Sequence, residues 1–221
     1  MLKFLKIYFS LKKSLLIFIK RLKTPKIIKK YFDKNNVRKL HLGCGGKIFS
    51  GWLNCDINLQ SDCYLDLNKK LPFLDNSVDY IYSEHVIEHF SYGQAEKILS
   101  ECYRVLKLNG VIRTAMPSLD FYLENISSQD PEIMDFIIWH QNNFPELKNM
   151  PANMNSMLNF ITASCGHKYV YNKKTFIDLL VDLNFKNARQ VELSELENNI
   201  MSRAGGIKNH LMQTIVFEAE K

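Results

Sequence analysis

The chain has 221 residues, of which 46% are hydrophobic, 12% aromatic and 24% charged. This composition is typical of one folded domain that can bury a core, and it excludes a globally disordered chain. The net charge of +6 is uneven, because residues 1–35 carry ten lysines and Arg21 against Asp33, a net charge of +10, and the remainder carries −4. A mildly acidic body does not fit a nucleic-acid-binding domain, so we predict no nucleic-acid partner.

The five cysteines are an odd number and form no Cys-x-x-Cys pair. This pattern argues against a disulfide framework and against a structural zinc site. Free thiols suit a reducing compartment, so we predict a cytoplasmic protein.

Residues 1–35 form a basic segment in which Leu, Ile and Phe recur mostly at helical spacing. Two interpretations are open: a helix lying on an anionic membrane at its inner face, or a helix whose apolar stripe packs against the domain. The longest uncharged run, residues 14–19, is too short to span a bilayer, and no small-residue cleavage site marks a signal peptide. We expect Thr24-Pro25 to interrupt the helix.

From residue 36 onward, strand-like and helix-like segments alternate, and we take 36–221 as one domain. Short strands are predicted at 38–43, 52–57, 62–67, from 77, and at 111–117, where Pro117 ends the strand. An amphipathic helix is predicted over 93–110, with Asn109-Gly110 as its stop signal.

The second half of the chain is less regular. Helical patterns cover 121–126, 131–144 and 172–185, and strand candidates cover 188–196 and 210–221. The Asn- and Met-rich stretch 141–165 lies within a region, 118–168, that we interpret as a mobile substrate lid; its methionines suit variable acceptors, or simply fill gaps. The alternation predicts an α/β, Rossmann-like fold: a mostly parallel sheet, helices on both faces and an antiparallel C-terminal strand.

The glycines at 43, 45 and 46 follow the first predicted strand, where a backbone without side chains lets a ligand approach closely. A dinucleotide fingerprint would need glycine at position 48, which is Ile48, and an acid about twenty residues on, whereas Asp56 comes after thirteen. A nucleoside without phosphates needs acceptors for its ribose hydroxyls and its adenine amine. Asp56 and Asp66, near the ends of the second and third strands, suit that task.

The segments "LHLGCGG" (40–46), "LNCDI" (53–57), 65–90 and 101–120 resemble class I S-adenosylmethionine-dependent methyltransferases of the type 11 branch. Within that branch the chain is similar to small methyltransferases associated with surface-polysaccharide biosynthesis, and "GHKYVYNKKTFIDLLVDLNF" (166–185) looks like their C-terminal helix and its preceding loop. The resemblance covers residues 37–190.

This resemblance implies S-adenosylmethionine as the cofactor. The glycine turn would line its methionine part, Asp56 would bind the ribose hydroxyls and Asp66 the adenine amine. Ser83 and His85 would lie near the sulfonium and the methyl group. The residues implied to bind the cofactor are Gly43, Cys44, Gly45, Asp56, Ile57, Asp66, Leu67 and Ser83.

The sequence departs from the family pattern near the glycine turn. His41 stands where family members often have an acid, and only eight residues separate Gly43 from Trp52, which shortens the first crossover helix; the second crossover, 58–62, is shorter still. One sheet face should therefore lack helical cover. We expect the N-terminal segment to fill part of that gap.

Three histidines are candidates for catalysis: His85 and His89 at the end of the fourth strand, and His167 before the C-terminal helix. Histidine suits proton transfer from a hydroxyl near neutrality, so we expect His85 to face the methyl group and to position or deprotonate the acceptor. His85 to His89 also match the H-x-x-E-H zinc pattern, but that pattern needs a long helix and a third ligand. The segment also resembles ubiquinone O-methyltransferases, in which an acid and "EH" at this place hold a metal, but His85 stands in place of their first acid. We therefore predict no metal site, with Glu88 and His89 serving in local capping and packing.

We therefore predict a methyltransferase acting on a small molecule or glycan precursor, most simply at a hydroxyl. The alternative is a non-catalytic module that keeps the nucleoside fold for binding or assembly, which the shortened first half-site favours. Methylation of RNA or protein would require a basic face that the body lacks, and the Asn/Asp-Pro-Pro-Tyr signature of amino-group methylation on bases is absent after the fourth strand.

Overall fold

The computed structural model describes residues 2–191 and 212–221. In this part of the chain, seven strands form one sheet of order β3-β2-β1-β4-β5-β7-β6. The strands are β1 (Lys39–Leu42), β2 (Leu53–Asp56), β3 (Cys63–Tyr64), β4 (Val78–Glu84), β5 (Leu106–Pro117), β6 (Lys186–Val191) and β7 (Thr214–Glu220). The helices are α1 (Leu2–Lys34), α2 (Tyr92–Val105), α3 (Leu119–Glu124), α4 (Pro131–Asn143), α5 (Met154–Asn159) and α6 (Lys173–Asp182).

The predicted α/β sheet is confirmed. β1 pairs in parallel with β2 and β4, and β4 with β5, whereas β7 runs antiparallel to β5 and β6. Two predicted C-terminal strands become β6 and β7; residues 192–196 of the first prediction, and 210–211 of the second, lie outside the described residues. Because parallel strands end at the same edge, the loops after β1, β2 and β4 converge.

The main hydrophobic core lies on one face of the sheet. Leu40 and Leu42 of β1 point into it, together with apolar residues of α2 and α6, as alternation along a strand requires. His41, between them, lies on the opposite face, where its ring stacks on Phe49 with 4.2 Å between centroids and its Nδ1 is 3.2 Å from Asn54 Oδ1. Burial lowers the pKa of His41, so the ring stays neutral near pH 7.

The shortened crossovers are confirmed. Residues 43–52 form turns instead of a helix, and residues 57–62 are also turns and bends. A small cluster takes the place of a crossover helix: Phe49 and Trp52 pack over Tyr82 on the face opposite α2.

The prediction that Pro25 interrupts the N-terminal helix is wrong, because α1 continues through Pro25 to Lys34. Contacts with the sheet edge outweigh the lost backbone hydrogen bond of proline. Thr24 Oγ1 donates to the Lys20 carbonyl at 3.1 Å and accepts the Tyr64 amide at 3.1 Å, so the helix is tied to β3 beside the proline.

The second half of α1 packs against the domain, but on a different face from the one expected. Ile27, Ile28, Tyr31 and Phe32 join the main core together with α2 and α6, and Phe32 stacks on Phe73. The sheet face opposite α2, beside the shortened crossovers, is therefore covered by Phe49 and Trp52 and not by α1. Residues of the N-terminal segment therefore pack against the domain, as expected. They do not cover the sheet face beside the shortened crossovers, where we expected them.

The helix predicted to reach Gly110 ends five residues earlier. After Val105 the chain is extended, with Leu106 at φ −62° and ψ 140°. Leu106 pairs with Val78, and Asn109 adopts φ +62° in an irregular stretch before Val111 pairs with Tyr80. Pairing with β4 overrides the helical periodicity.

Residues 118–168, defined from here on as the lid, fold into α3, α4, α5 and short helical turns around a core of their own. Its methionines do not form an exposed surface: Met154 and Met157 are buried in that core, and Met150 packs against it. Burial in this core agrees with the gap-filling interpretation, while Met157 also lines a cavity beside the lid.

We predict that Tyr31→Phe lowers the free energy of unfolding by about 1–2 kcal/mol, because the hydroxyl accepts the Lys39 amide at 2.9 Å and donates to the sheet backbone. Urea unfolding measures the change. Tyr80→Phe is the control, since Tyr80 is 45% exposed. Equal effects in both variants would contradict a specific role for the Tyr31 hydroxyl.

Candidate active site

The glycine turn after β1 has a backbone that other residues would strain. Gly43 adopts φ +62°, and a Cβ built there would lie 2.4 Å from Val86 Cγ2. Gly45 adopts φ +55° with open space around it, and its amide donates to Asp56 Oδ2 at 2.8 Å. The turn is thus held between the end of β2 and the loop after β4, where it forms part of a cavity wall.

The first cavity has a volume of about 220 Å³ and lies where β1, β2 and β4 end. Five of the predicted cofactor-binding residues line it: Gly43, Asp56, Ile57, Asp66 and Leu67. His85, His89 and Phe90 complete much of the opposite wall. The two predicted carboxylates therefore share one cavity, which we call the carboxylate cavity.

Three other predicted residues support this cavity without lining it. Cys44 is buried, and its amide donates to the Cys55 carbonyl at 3.1 Å. Burial raises the pKa of its thiol to about 12. Gly45 holds Asp56, and Ser83 is buried with its hydroxyl 3.3 Å from Thr114 Oγ1.

Backbone amides orient both carboxylates. Asp56 accepts the Gly45 amide on Oδ2 and the Asn58 amide on Oδ1 at 3.0 Å. Asp66 Oδ1 accepts the Asn68 amide at 3.1 Å. A carboxylate has about four acceptor positions. Each group therefore keeps acceptor capacity for a ligand after these bonds are made.

A second cavity of about 250 Å³ lies between the strand ends and the lid. We call it the lid cavity. His85 and His89 line it as well, so these two histidines separate it from the carboxylate cavity. Most of its other lining residues are apolar or aromatic: Pro117, Tyr122, Phe144, Met157, Phe160 and Ile161.

His85 is held in an unusual conformation by a buried carboxylate. Its φ is +52°, which costs free energy for a residue with a side chain. Its Nδ1 lies 3.1 Å from Oε1 of Glu88, a residue that is 0% exposed. Because a carboxylate only accepts, Nδ1 carries the proton and Nε2 is left as the basic atom.

The structure brings the three predicted histidines together around Glu88. The rings of His89 and His167 meet edge to face, with 4.7 Å between centroids, and His167 Nε2 is 3.9 Å from Glu88 Oε1. Burial lowers the pKa of His167, so its imidazole is neutral at pH 7. The Glu88 carbonyl also accepts the amides of Lys168 and Tyr169, which fixes the loop that carries His167.

Sequence reasoning assigned Glu88 to local packing and missed its place at the centre of this cluster. It also did not single out Tyr122 and Gln213, which hydrogen-bond to each other in the lid cavity wall. An acid within the apolar run "HVIEHF" was the available signal for Glu88. No sequence pattern links Gln213 to Tyr122.

The comparisons with known proteins agree with this arrangement. Residues 58–114, which include Asp66, His85 and Glu88, match the family model described as a methyltransferase domain. This part of the chain is therefore similar to a methyltransferase domain. Among curated proteins, none matches this chain.

The solved structures extend the likeness to the whole fold. A SAM-dependent methyltransferase from Archaeoglobus fulgidus is 17% identical, with 97% of this chain and 99% of that one covered at a TM-score of 0.50. An S-adenosylmethionine-dependent methyltransferase from Mesorhizobium loti is 13% identical, with coverage of 90% and 97% at a TM-score of 0.51. The chain thus has the fold of these S-adenosylmethionine-dependent methyltransferases.

We predict that Gly43→Ala lowers the free energy of unfolding by about 2 kcal/mol, because alanine at φ +62° is strained and its Cβ would collide with Val86. Thermal or urea unfolding measures the loss. The control is Gly93→Ala in α2, where a Cβ meets open space and helix propensity favours alanine. A neutral Gly43→Ala variant would show that the turn does not need glycine here.

Proposed function

We propose that this protein transfers a methyl group from S-adenosylmethionine to a hydroxyl group of a small molecule or glycan precursor. The observation that carries the proposal is the meeting of two cavities at His85: one with two oriented carboxylates, the other mainly apolar and closed by the lid. When bound, S-adenosylmethionine supplies an electrophilic methyl group, and the protein's task is then chiefly alignment.

The carboxylate cavity fits the nucleoside part of that cofactor. Asp56 and Asp66 offer acceptors that suit the ribose hydroxyls and the adenine amine, respectively. Ile57, Leu67 and Phe90 supply apolar surface for a flat base. Gly43 leaves the turn without a side chain at the cavity wall, where a larger residue would meet Val86. These residues would hold the cofactor, with His85 at the far end.

His85 is the group we assign to the acceptor. Glu88 keeps the proton on Nδ1, so Nε2 is available to take the proton of a hydroxyl. A buried carboxylate behind a histidine fixes its tautomer and stabilises the protonated ring, as in catalytic triads. His89 borders both cavities and His167 lines the lid cavity, so we assign both histidines to acceptor positioning.

The lid cavity suits an acceptor with an apolar body and a few polar groups, because its lining combines an apolar and aromatic wall with four histidines, the Tyr122 hydroxyl and Gln213. The resemblance of the sequence to methyltransferases of surface-polysaccharide biosynthesis favours a glycan precursor among such acceptors. A glycan precursor attached to a lipid would combine an apolar body and polar groups in one molecule.

We predict that Asp56→Ala and Asp66→Ala each weaken binding of S-adenosylhomocysteine at least tenfold, because each removes a charged acceptor. Isothermal titration measures the affinity. Asp178→Ala is the control, since Asp178 is paired with Lys174 on the exposed side of α6. If the unaltered protein binds neither S-adenosylmethionine nor its product, the protein is a non-catalytic binding or assembly module.

We predict that His85→Gln lowers the rate of methyl transfer about 100-fold and leaves S-adenosylhomocysteine affinity within twofold. The rate is measured with a hydroxylated acceptor found by screening glycan precursors with radiolabelled S-adenosylmethionine. Glutamine keeps hydrogen-bonding groups but has no basic nitrogen. A variant with unaltered turnover would remove His85 from the reaction.

The first half of α1 supports a second proposal, contact with the inner face of an anionic membrane. Leu15, Phe18, Ile19 and Leu22 recur at the spacing of one helical face and are between 37% and 64% exposed. At about 100° per residue, this stripe lies opposite the face through which Lys20, Thr24 and Ile28 meet the domain. The domain therefore does not cover the stripe.

Charge favours a membrane over another apolar surface. Residues 1–35 carry a net charge of +10, and exposed Lys12, Lys23 and Lys26 lie beside the stripe. Among the described residues, no helix is long and apolar enough to cross a membrane. We therefore propose a cytoplasmic protein whose α1 lies along the surface of the bilayer.

We predict that replacing Leu15, Phe18 and Leu22 together by serine reduces co-sedimentation with vesicles containing anionic lipid at least fivefold, because the inserted apolar area is lost. Raising the salt concentration should also weaken binding of the unaltered protein. Leu74→Ser is the control, since Leu74 is 80% exposed outside α1. Equal sedimentation of the triple variant would exclude this surface.

A further inference from the structure

The buried carboxylate of Glu88 is only half satisfied. Its Oε1 accepts from His85, but its Oε2 has no hydrogen-bond partner among the described residues, and the side chain is 0% exposed. An ionised oxygen removed from water needs a proton donor or a cation nearby. The surroundings of Oε2 therefore point to a ligand that the protein chain alone does not provide.

Two neighbouring histidines, His89 and His167, each have a ring nitrogen that could bind the same ligand. His167 Nδ1 lies 2.8 Å from the Ile161 carbonyl, and His89 Nδ1 lies 3.3 Å from the Gly166 carbonyl. Since a carbonyl only accepts, both Nδ1 atoms carry the proton and both Nε2 atoms keep a lone pair. A hydrogen bond from the far ring nitrogen to a carbonyl is also the usual support of a metal-binding histidine.

Glu88, His89 and His167 can each offer one ligand atom within 4.8 Å of the others. We propose that these three residues bind a divalent metal ion of the zinc class at the junction of the carboxylate and lid cavities. Two imidazoles and one carboxylate are a ligand set of catalytic zinc sites, which leave a further position open. His89 and His167 both line the lid cavity, so that position is accessible from it.

This site differs from the one considered for H-x-x-E-H, in which both histidines lie on one helix. Here Ile87–His89 form a single helical turn, and His85 is bonded to Glu88 instead. The second imidazole comes from His167, on the loop that the Glu88 carbonyl fixes through two amides. The long-range pairing of these two segments supplies the third ligand.

The proposed metal site would bind a polar group of the methyl acceptor; this consequence rests on the proposed function. A metal ion beside His85 would hold an acceptor oxygen in an otherwise apolar cavity, and it would lower the pKa of a bound hydroxyl. The methyl acceptors of this protein would then be molecules whose reactive hydroxyl can bind a metal ion. Metal binding itself does not depend on methyl transfer.

The test titrates the full-length protein with ZnCl₂ at pH 7.5 after treatment with a chelator and its removal. Isothermal titration should show one equivalent bound, and Zn²⁺ should raise the melting temperature. Glu88→Gln and His167→Gln should each weaken the affinity at least tenfold. Co²⁺ added instead should give a visible absorption band that His167→Gln alters.

Two control variants separate this site from other zinc ligands. His140→Gln should bind Zn²⁺ normally, because His140 lines the same cavity with its Nδ1 bonded to the Phe136 carbonyl but lies outside the cluster. Cys165→Ser should also bind normally, because Cys165 lines the same cavity but lies outside the cluster. Circular dichroism establishes that each variant is folded.

The proposal is overturned if the unaltered protein binds no stoichiometric Zn²⁺, if Glu88→Gln and His167→Gln bind as tightly as it does, or if only Cys165→Ser loses binding. Titration of S-adenosylhomocysteine on the same samples separates the two proposals. Zinc binding without S-adenosylhomocysteine binding would refute the proposed function alone. The reverse result would refute only the metal site.

Discussion

The arrangement of the candidate active site depends on one buried carboxylate. Glu88 lies at the end of β4 with no exposure, and its side chain fixes the tautomer of His85 while its backbone carbonyl fixes the loop that carries His167. Burying a charge is costly unless polar groups compensate. His85, the side chain that hydrogen-bonds to Glu88, borders both cavities, so the bond that compensates the buried carboxylate also positions a residue of the candidate site.

Much of the fold could be predicted because the strands obey local patterns. A short apolar run ending in the glycine turn located β1, and two runs ending near aspartates located β2 and β3. The order of the motifs placed Asp56 and Asp66 in one cavity before any contact was known. The predictions failed where a distant segment decides the structure. Leu106 continues the apolar period of α2, yet pairing with β4 makes it a strand residue. Proline disfavours a helix at position 25, yet contacts with β3 keep it.

The histidine cluster was only partly predictable for the same reason. His85, Glu88 and His89 are neighbours in sequence, and their spacing alone allowed zinc chemistry or simple packing. His167, near the end of the lid, joins them across a separation of more than seventy residues. Sequence periodicity carries no information on such a pairing. The tautomers that make the two imidazoles suitable ligands depend on carbonyls of residues 161 and 166, which only the folded chain brings near.

The separate hydrophobic core of the lid has a consequence for how this protein can diversify. The lid's buried residues pack mainly against one another, whereas the sheet and α2 share another core. Exchanges inside the lid can therefore reshape the lid cavity while the strand ends that bear Asp56 and Asp66 keep their positions. A laboratory library confined to residues 118–168 would therefore vary the shape of the lid cavity on an unchanged sheet.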